Sequence, residues 1–305
     1  MKNLMIPALA LFLSAAAQAD DSPLWMRYCA ISPDGQTIAF SYQGDIYTVP
    51  SSGGKARQLT THPAHDTRPV WSPDGQRIAF ASNRSGNFDV FLMNKEGGEP
   101  KRLTTHSTNE YPTTFKDNGH ILYLANVLQD AKDIQFPGTR FMQVYEISTD
   151  GGRPDLYSSL YMENIALSKD GSKLLYNDYK GYEDPWRKHH QSSITRDIWL
   201  CTLGKDRSFQ KVTTFGGEDR NPVWAADGAS FYYLSEEKGS FNIFKKDLAG
   251  NSEKQITTHT THPVRFLSMS NDGTLCYGYD GEIYTQQEGS NPRKINVEII
   301  RDDQP

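Results

Sequence analysis

The 305-residue chain has few of the features that would assign it to a common functional class. It has only three cysteines, Cys29, Cys201 and Cys276, which are too few for a disulfide framework and are not spaced as zinc ligands. Acidic side chains outnumber basic ones by 37 to 32, and this argues against nucleic acid as the main partner, because phosphate binding needs a basic surface. No stretch shows sustained helical periodicity. We therefore expect a fold built from strands, in which the three thiols are buried as small apolar groups.

The sequence also lacks the motifs of the common catalytic and cofactor-binding sites. It contains no Gly-x-Ser-x-Gly nucleophile elbow, no His-Glu-x-x-His zinc motif, no Walker loop and no dinucleotide-binding glycine motif. Two histidine pairs have a spacing that metal ligands use, but the first histidine of each belongs to a repeated Thr-Thr-His element. The pairs are His62 with His65 and His259 with His262. We predict no catalytic residue, no metal and no cofactor in this chain.

The first 19 residues have the pattern of a secretory signal peptide. Lys2 gives a positively charged start, an apolar run extends from Leu4 to Ala17, and Ala-Gln-Ala at 17–19 is a small-x-small cleavage signal. The run is shorter than the ~20 apolar residues that span a bilayer, and no later segment is apolar enough to do so. The sequence predicts export to the periplasm or the cell exterior, with no membrane span after cleavage. An uncleaved anchor is the alternative.

Six copies of one motif organise the rest of the chain. Residues 69–75 are Pro-Val-Trp-Ser-Pro-Asp-Gly, residues 222–228 are Pro-Val-Trp-Ala-Ala-Asp-Gly, and four looser copies follow the same pattern. Glycine accepts positive φ, so these turns suit tight hairpins, and each aspartate is expected to accept hydrogen bonds from its own turn. The aspartates, 40 to 57 residues apart, are Asp34, Asp74, Asp117, Asp170, Asp227 and Asp272.

Each copy continues with the same succession of short segments. Two alternating apolar runs follow the turn, and then come a glycine turn and a short strand that ends in Thr-Thr, as in residues 76–105. Alternation with a period of two indicates half-buried strands. Four strands recurring at this spacing predict an all-β chain: a six-bladed β-propeller of four-stranded antiparallel blades over residues 20–300. Every unit is complete in sequence order, so we expect the last blade to pack on the first without a shared blade.

Two insertions place most of the unusual residues on one face. They cover residues 126–140 in the third blade and 178–196 in the fourth, and both lie between the second and third strands. In an up-and-down blade these loops share a face with the connections between blades. We call this the connection face, and we call the opposite face, which carries the Asp-Gly turns, the turn face. Seven of the eight histidines are predicted on the connection face.

Basic side chains of the connection face are the candidate binding residues. Long loops on a rigid scaffold often bind ligands, and these groups are suited to a carboxylate such as a peptide C-terminus. They are Arg140, Arg187, Lys188, His189, His190, Arg196, His62 and His65. One alternative is that the repeated histidines reflect duplication without function. Another is a self-contained cluster in which Glu183, Asp184 and Asp197 neutralise the cations of the fourth-blade loop.

The repeat resembles that of TolB-type six-bladed propellers. The resemblance is carried by residues 71–80, Trp-Ser-Pro-Asp-Gly-Gln-Arg-Ile-Ala-Phe, with Ser-Gly-Asn at 85–87 and Leu-Thr at 103–104. Residues 187–199 are in turn similar to the fourth-blade insertion of exported tricorn-type serine proteases. Those proteases begin directly with such a propeller, whereas TolB carries an α/β domain ahead of its own.

The tricorn resemblance implies a non-catalytic propeller that binds or gates peptides or unfolded protein segments. Regulatory and protease domains would follow in the same polypeptide, with residues 301–305 as the start of the linker, and a homo-oligomer is possible. No catalytic residue is carried over, because the serine nucleophile of that family lies beyond the propeller. The first alternative is a free-standing TolB-like periplasmic interaction module. The second is a complete propeller enzyme, which the lack of metal ligands and of a carboxylate pair outside the turns disfavours.

Overall fold

The computed structural model describes residues 23–127, 142–181, 192–250 and 252–300. All regular secondary structure in these ranges is β-strand, and all but two of the strands form six four-stranded antiparallel sheets in chain order. Each sheet is one blade, and the first strands of neighbouring blades pack against one another around the ring. The predicted six-bladed β-propeller is confirmed.

The first three blades use thirteen of the strands. Blade one contains β1 (Arg27–Ile31), β2 (Thr37–Tyr42), β3 (Asp45–Pro50) and β5 (Arg57–Gln58), with the short β4 (Gly54–Lys55) before its outer strand. Blade two contains β6 (Asp66–Trp71), β7 (Arg77–Ser82), β8 (Asp89–Asn94) and β9 (Gly97–Arg102). Blade three contains β10 (Glu110–Asp117), β11 (His120–Ala125), β12 (Gln143–Ser148) and β13 (Asp155–Ser158).

The other three blades follow the same order. Blade four contains β14 (Glu163–Leu167), β15 (Lys173–Asn177), β16 (Ile198–Thr202) and β17 (Ser208–Lys211). Blade five contains β18 (Asp219–Trp224), β19 (Ser230–Ser235), β20 (Asn242–Asp247) and β21 (Glu253–Gln255). Blade six contains β22 (Arg265–Met269), β23 (Leu275–Tyr279), β24 (Glu282–Gln286) and β25 (Arg293–Lys294), and β26 (Val297–Glu298) follows it. Both insertions lie between the second and third strands, as predicted.

The ring closes where blade six meets blade one. The strand β1 packs on β22 and β23, and each of these blades keeps four strands of its own, so the predicted closure without a shared blade is confirmed. The Met26 N–H donates to the Gly281 carbonyl at 3.0 Å, and the Asn271 N–H donates to the Pro33 carbonyl at 2.9 Å. One contact was not expected: β26 leaves blade six and pairs in parallel with β4 of blade one.

The repeated aspartates cap their own turns, as predicted. Asp34 Oδ1 accepts hydrogen bonds from the Ser32 hydroxyl at 2.5 Å and from the Gln36 N–H at 3.0 Å. Such donors stabilise the charged carboxylate, and those from Ser168 and Ser172 lower the pKa of Asp170 to about 2. The pKa values of the other five turn aspartates are lowered as well. The Asp-Gly pairs are therefore structural.

The Thr-Thr pairs have a structural role in four of the blades. Thr60 Oγ1 accepts a hydrogen bond from the Ile46 N–H at 3.0 Å, and so ties the end of the fourth strand to the start of the third. Three further threonines do the same in their own blades: Thr104, Thr213 and Thr257. In these four blades the Thr-Thr pair therefore has a structural role that requires no binding function.

The hydrophobic core lies between neighbouring blades, because each sheet buries both of its faces against the next. The cluster that joins blades one and six contains Cys29 and Cys276, and Cys201 lies in the cluster of blades three and four. All three thiols are free and buried, as predicted. Trp71 of the repeat reaches back one blade and donates from Nε1 to the Ala30 carbonyl at 2.9 Å. Each large apolar side chain buried in this way contributes roughly 1.5–3 kcal/mol.

Candidate functional site

A channel of about 1150 Å³ lies at the centre of the ring and is lined by residues of the first strand of every blade. Its opening at the turn face is formed by the residue that precedes each turn aspartate. These residues are Pro33, Pro73, Lys116, Lys169, Ala226 and Asn271. The opening at the connection face is formed by the starts of the same strands, and it is richer in charged and aromatic groups.

Every first strand contains a β-bulge where it forms the channel wall. The pairing register slips at the same place in all six blades. In five of them a bulge residue has a left-handed φ, a backbone conformation that costs residues other than glycine about 1 kcal/mol. These residues are Tyr28 (52°), Arg68 (57°), Asn164 (51°), Asn221 (54°) and Phe266 (58°). All five line the channel, so the bulges direct a ring of dissimilar side chains towards it.

Two of the bulge side chains join neighbouring blades. Asn221 donates from Nδ2 to the Leu267 carbonyl at 2.9 Å and accepts the Leu267 N–H at 3.0 Å through Oδ1. Thr113, in the bulge of blade three, accepts the Ile165 N–H at 3.4 Å. These contacts satisfy backbone groups that the irregular ladder leaves open. We assign Asn221 and Thr113 to the structure of the wall.

Arg68 differs from them, because its guanidinium lies between two aromatic rings. The Arg68 Cζ atom is 4.3 Å from the centre of the Tyr111 ring and 5.4 Å from that of the Tyr28 ring. No acidic side chain within the described ranges forms an ion pair with it. Burial raises the pKa of Tyr111, and the neighbouring guanidinium partly offsets this rise. Arg68 is a cation held in place by stacking, with no carboxylate bound in the described parts of the chain.

The first strand of every blade begins with a charged residue. In blades two to five it is a carboxylate and in blades one and six an arginine, but the starts are not at equivalent register: Arg27 directly precedes its bulge, as Thr67 does in blade two. The carboxylates are Asp66, Glu110, Glu163 and Asp219, and the arginines are Arg27 and Arg265. Of these six residues, Glu163 and Arg265 line the channel, whereas Asp66, Glu110 and Asp219 are buried beneath its wall.

The four carboxylates lie in different environments, and all but the half-buried Glu163 are buried. Asp66 pairs with Arg84 at 2.7 Å, and Glu163 pairs with Arg196 at the same distance. Neither Glu110 nor Asp219 has an ion-pair partner among the described residues, and burial raises the pKa of each to about 7. Since burial disfavours the charged form, both side chains hold a proton in the folded protein up to about neutral pH.

Arg196 is the one predicted fourth-blade cation that the structure describes, and it is enclosed. Its side chain is 6% exposed, and it pairs with Glu163 and with Glu218, the second at 3.3 Å. Burial acts to lower the pKa of Arg196, but the two carboxylates hold it above its usual value. The alternative of a self-contained cluster paired this arginine with other acids, whereas the structure pairs Asp197 with Lys180. Arg196 therefore takes part in a closed ion-pair cluster.

The predicted histidines of the first connection are exposed. His62 accepts the Ala64 N–H at 3.0 Å through Nδ1, and the His65 ring lies edge-on to Phe88, 6.1 Å away. His259, by contrast, is stacked on Tyr279 at 3.9 Å, and burial lowers its pKa. Among the residues with described positions, no group of three or more His, Cys, Asp or Glu side chains is arranged to hold a metal ion. The remaining predicted residues lie outside the described ranges: Arg140, Arg187, Lys188, His189 and His190.

Arg68 and the bulges were not predicted from the sequence. A signal was present, because an acidic residue stands three positions before the proline of both Pro-Val-Trp copies, at Asp66 and Asp219. Pro69 and Pro222 follow left-handed residues, and proline suits a bulge because it has no N–H to leave unpaired. The sequence Arg-Pro at 68–69 therefore marks a bulge whose side chain is directed out of the ladder.

Comparison with known proteins relates the chain to one family over most of its length. The family model described as the tricorn protease N-terminal beta propeller domain matches residues 23–292. The tricorn protease homolog of Saccharolobus solfataricus is 22% identical over 287 residues, which cover 91% of this chain and 25% of the relative. This chain thus spans about a quarter of the length of that relative.

Solved structures show the same propeller. The crystal structure of the tricorn protease matches with a TM-score of 0.77 at 20% identity, over 92% of this chain and 27% of that one. The crystal structure of TolB from Acinetobacter baumannii matches with a TM-score of 0.62 at 14% identity, over 86% of this chain and 61% of that one. At these identities the two likenesses show the fold alone.

Proposed function

Because the chain belongs to the family of tricorn protease N-terminal β-propeller domains, we propose that it is the non-catalytic propeller of a tricorn-like serine protease. In this proposal it binds peptides or unfolded protein segments and guides them through its channel to protease domains elsewhere in the polypeptide. Export through the predicted signal peptide and assembly of several copies belong to the same proposal. No helix in the described parts of the chain has the length and apolar character that crossing a bilayer requires.

The observation that carries the proposal is the size of the channel. Its first strands are five to eight residues long, so the wall is roughly 18 Å deep. A volume of about 1150 Å³ over that depth gives a mean cross-section of roughly 60 Å². An extended chain packed in a sheet occupies roughly 48 Å², the product of the strand and sheet spacings. One extended peptide fits, and a folded domain does not.

The lining of the channel supports binding without chemistry. Of the acidic residues that line it, Glu163 is paired with Arg196 and Asp117 caps its own turn. The bulge residues Asn221 and Thr113 are committed to neighbouring blades. A wall of this kind suits a guide that accepts many peptide sequences.

The test narrows the channel with one substitution. Ala226 lies exposed at the turn-face opening, so Ala226→Trp adds bulk there without disturbing the core. Ala249, exposed in the outer turn of the same blade, supplies the control Ala249→Trp. We expect fluorescence anisotropy to show that the purified chain binds dye-labelled fragments of an unfolded protein. We also expect Ala226→Trp to weaken this binding at least fivefold and the control to leave it unchanged.

Two results would contradict the proposal. One is the absence of binding by the unmodified chain at any fragment length. The other is equal binding by both tryptophan variants, which would place the contact outside the channel.

A further inference from the structure

A second cavity lies on the connection face beside the channel opening, where blades one, two and three meet. It has a volume of about 490 Å³, within the range of small-ligand pockets. We call it the aromatic cleft, because five rings line it. They are those of Trp25, Tyr28, Tyr42, Phe88 and Tyr111. Tyr28, Tyr111 and Arg68 also line the channel, so the two cavities share a wall.

The charge of the aromatic cleft has one sign. Arg27 and Arg68 supply it, and no Asp or Glu lines the cleft within the described ranges. Arg27 directly precedes the bulge of blade one, at the position that Glu163 occupies in blade four. Arg68 has two aromatic faces and no ion-pair partner among the described residues, so its guanidinium N–H groups are available to an anion.

The cleft is also preorganised and open. Trp25, Tyr28 and Arg68 all have left-handed φ values of 52–72°, which hold their side chains towards the cavity at a local cost. Trp25 is 70% exposed and Leu24 beside it is 53% exposed. Large apolar groups exposed at the rim of a cavity are typical of a recognition surface. The strain and the exposure lie at the same place as the positive charge.

We propose that the aromatic cleft binds a peptide segment that presents a large apolar or aromatic side chain together with a carboxylate. The apolar side chain packs on Trp25 and the neighbouring rings, and the carboxylate accepts hydrogen bonds from Arg68. The carboxylate is either the C-terminus of the peptide or an adjacent acidic side chain. This inference rests on the proposed peptide-guiding function and adds the class of segment that is recognised.

The experiment uses three blocked tripeptides and isothermal titration calorimetry. The probes are acetyl-Gly-Gly-Phe with a free carboxyl group, the same peptide as its C-terminal amide, and acetyl-Glu-Phe-Gly-amide. We expect at least one carboxylate probe to bind the unmodified chain tenfold or more tightly than the amide of the first. If the first probe binds more tightly than the third, the cleft recognises a C-terminal carboxylate. If the third probe binds as tightly as the first, a side-chain carboxylate is sufficient.

Arg68→Met is the main variant, because methionine keeps an apolar stem between the two tyrosines and removes the charge. Its matched control is Arg153→Met, at an exposed arginine outside the cleft. We expect Arg68→Met to bind all three probes equally weakly, and the control to keep the tenfold preference. Trp25→Ala should reduce the affinity for acetyl-Gly-Gly-Phe to that for acetyl-Gly-Gly-Gly.

The outcomes separate this inference from the proposed function. If unfolded fragments bind but Arg68→Met keeps the carboxylate preference, the cleft is not the site and the guiding function stands. If no fragment or tripeptide binds, both are wrong. Self-association of the unmodified chain that Arg68→Met abolishes, measured by sedimentation velocity, would show that a second copy fills the cleft and would overturn the inference. A melting temperature for Arg68→Met near that of the unmodified chain shows that lost binding is not lost folding.

Discussion

Two arginines line the same channel near the same face, and their surroundings differ in kind. Arg196, between blades four and five, pairs with Glu163 and Glu218. Arg68, in blade two, is stacked between Tyr28 and Tyr111 and has no carboxylate partner in the described ranges. A guanidinium that already has two carboxylates is neutralised, whereas one held by rings keeps its charge for a ligand. The surrounding groups, more than the residue type, separate a structural arginine from a candidate binding arginine.

The largest effect is expected when Arg196, the enclosed arginine, is substituted. Arg196→Ala leaves Glu163 without its arginine, while Glu218 keeps Arg220 at 3.2 Å. Breaking a buried pair from one side costs about 3–5 kcal/mol in the free energy of unfolding. Arg57→Ala is the matched control, because Arg57 forms an exposed pair with Glu96 and is itself 60% exposed. Exposed pairs contribute about 0–1 kcal/mol. Urea unfolding followed by tryptophan fluorescence measures both.

The comparison is sharpened by including Arg68→Met in the same unfolding series. The Arg68 guanidinium contacts aromatic rings and no carboxylate among the described residues, so its removal leaves no buried charge unpaired. We therefore expect the free energy of unfolding to fall by about 1 kcal/mol or less, the size of an exposed cation–π contact. A loss at Arg68 as large as the one at Arg196 would show that both arginines are structural, and the proposed distinction between them would fail.

The next prediction concerns Asp219, a buried carboxyl group at the start of the first strand of blade five. Asp219 has a pKa raised to about 7 by burial, so the folded protein keeps this proton while the unfolded chain loses it near pH 4. The stabilisation by the bound proton is complete below that pH and is lost as pH rises through 7. Asp219→Asn cannot ionise. Relative to the unmodified chain it should gain roughly 2–4 kcal/mol of stability between pH 4 and pH 8.

Urea midpoints at four pH values across this range test the effect. Asp227→Asn is the control, because hydrogen bonds from its turn lower the pKa of Asp227, so it is ionised throughout the range. A pH profile of Asp219→Asn that runs parallel to that of the unmodified chain would show that Asp219 ionises normally in the folded state.

How much of this was predictable differs between the fold and the site. The strands, the six blades and the turn aspartates follow from local repeats, because each unit carries its own alternation and its own turn residues. The partners of Arg196 and Arg68 do not follow. Glu163 and Glu218 are 33 and 22 positions from Arg196, and Tyr28 and Tyr111 are 40 and 43 positions from Arg68. These residues come together only when the blades close into the propeller. The sequence therefore does not distinguish an arginine that is paired with carboxylates from one that is stacked on aromatic rings.

The last comparison is between two substitutions at the bulge of blade five. Asn221→Ala leaves the Leu267 N–H and carbonyl without partners and places alanine at a φ of 54°, so we expect a loss of about 2–3 kcal/mol. Asn221→Gly loses the same hydrogen bonds, but glycine accepts that φ, so it should be about 1 kcal/mol more stable than the alanine variant. Urea unfolding of the two variants side by side isolates this difference. If the alanine variant is as stable as the glycine variant, the bulge stores no backbone strain. The left-handed residues at Tyr28 and Arg68 would then be no sign of a preorganised cleft.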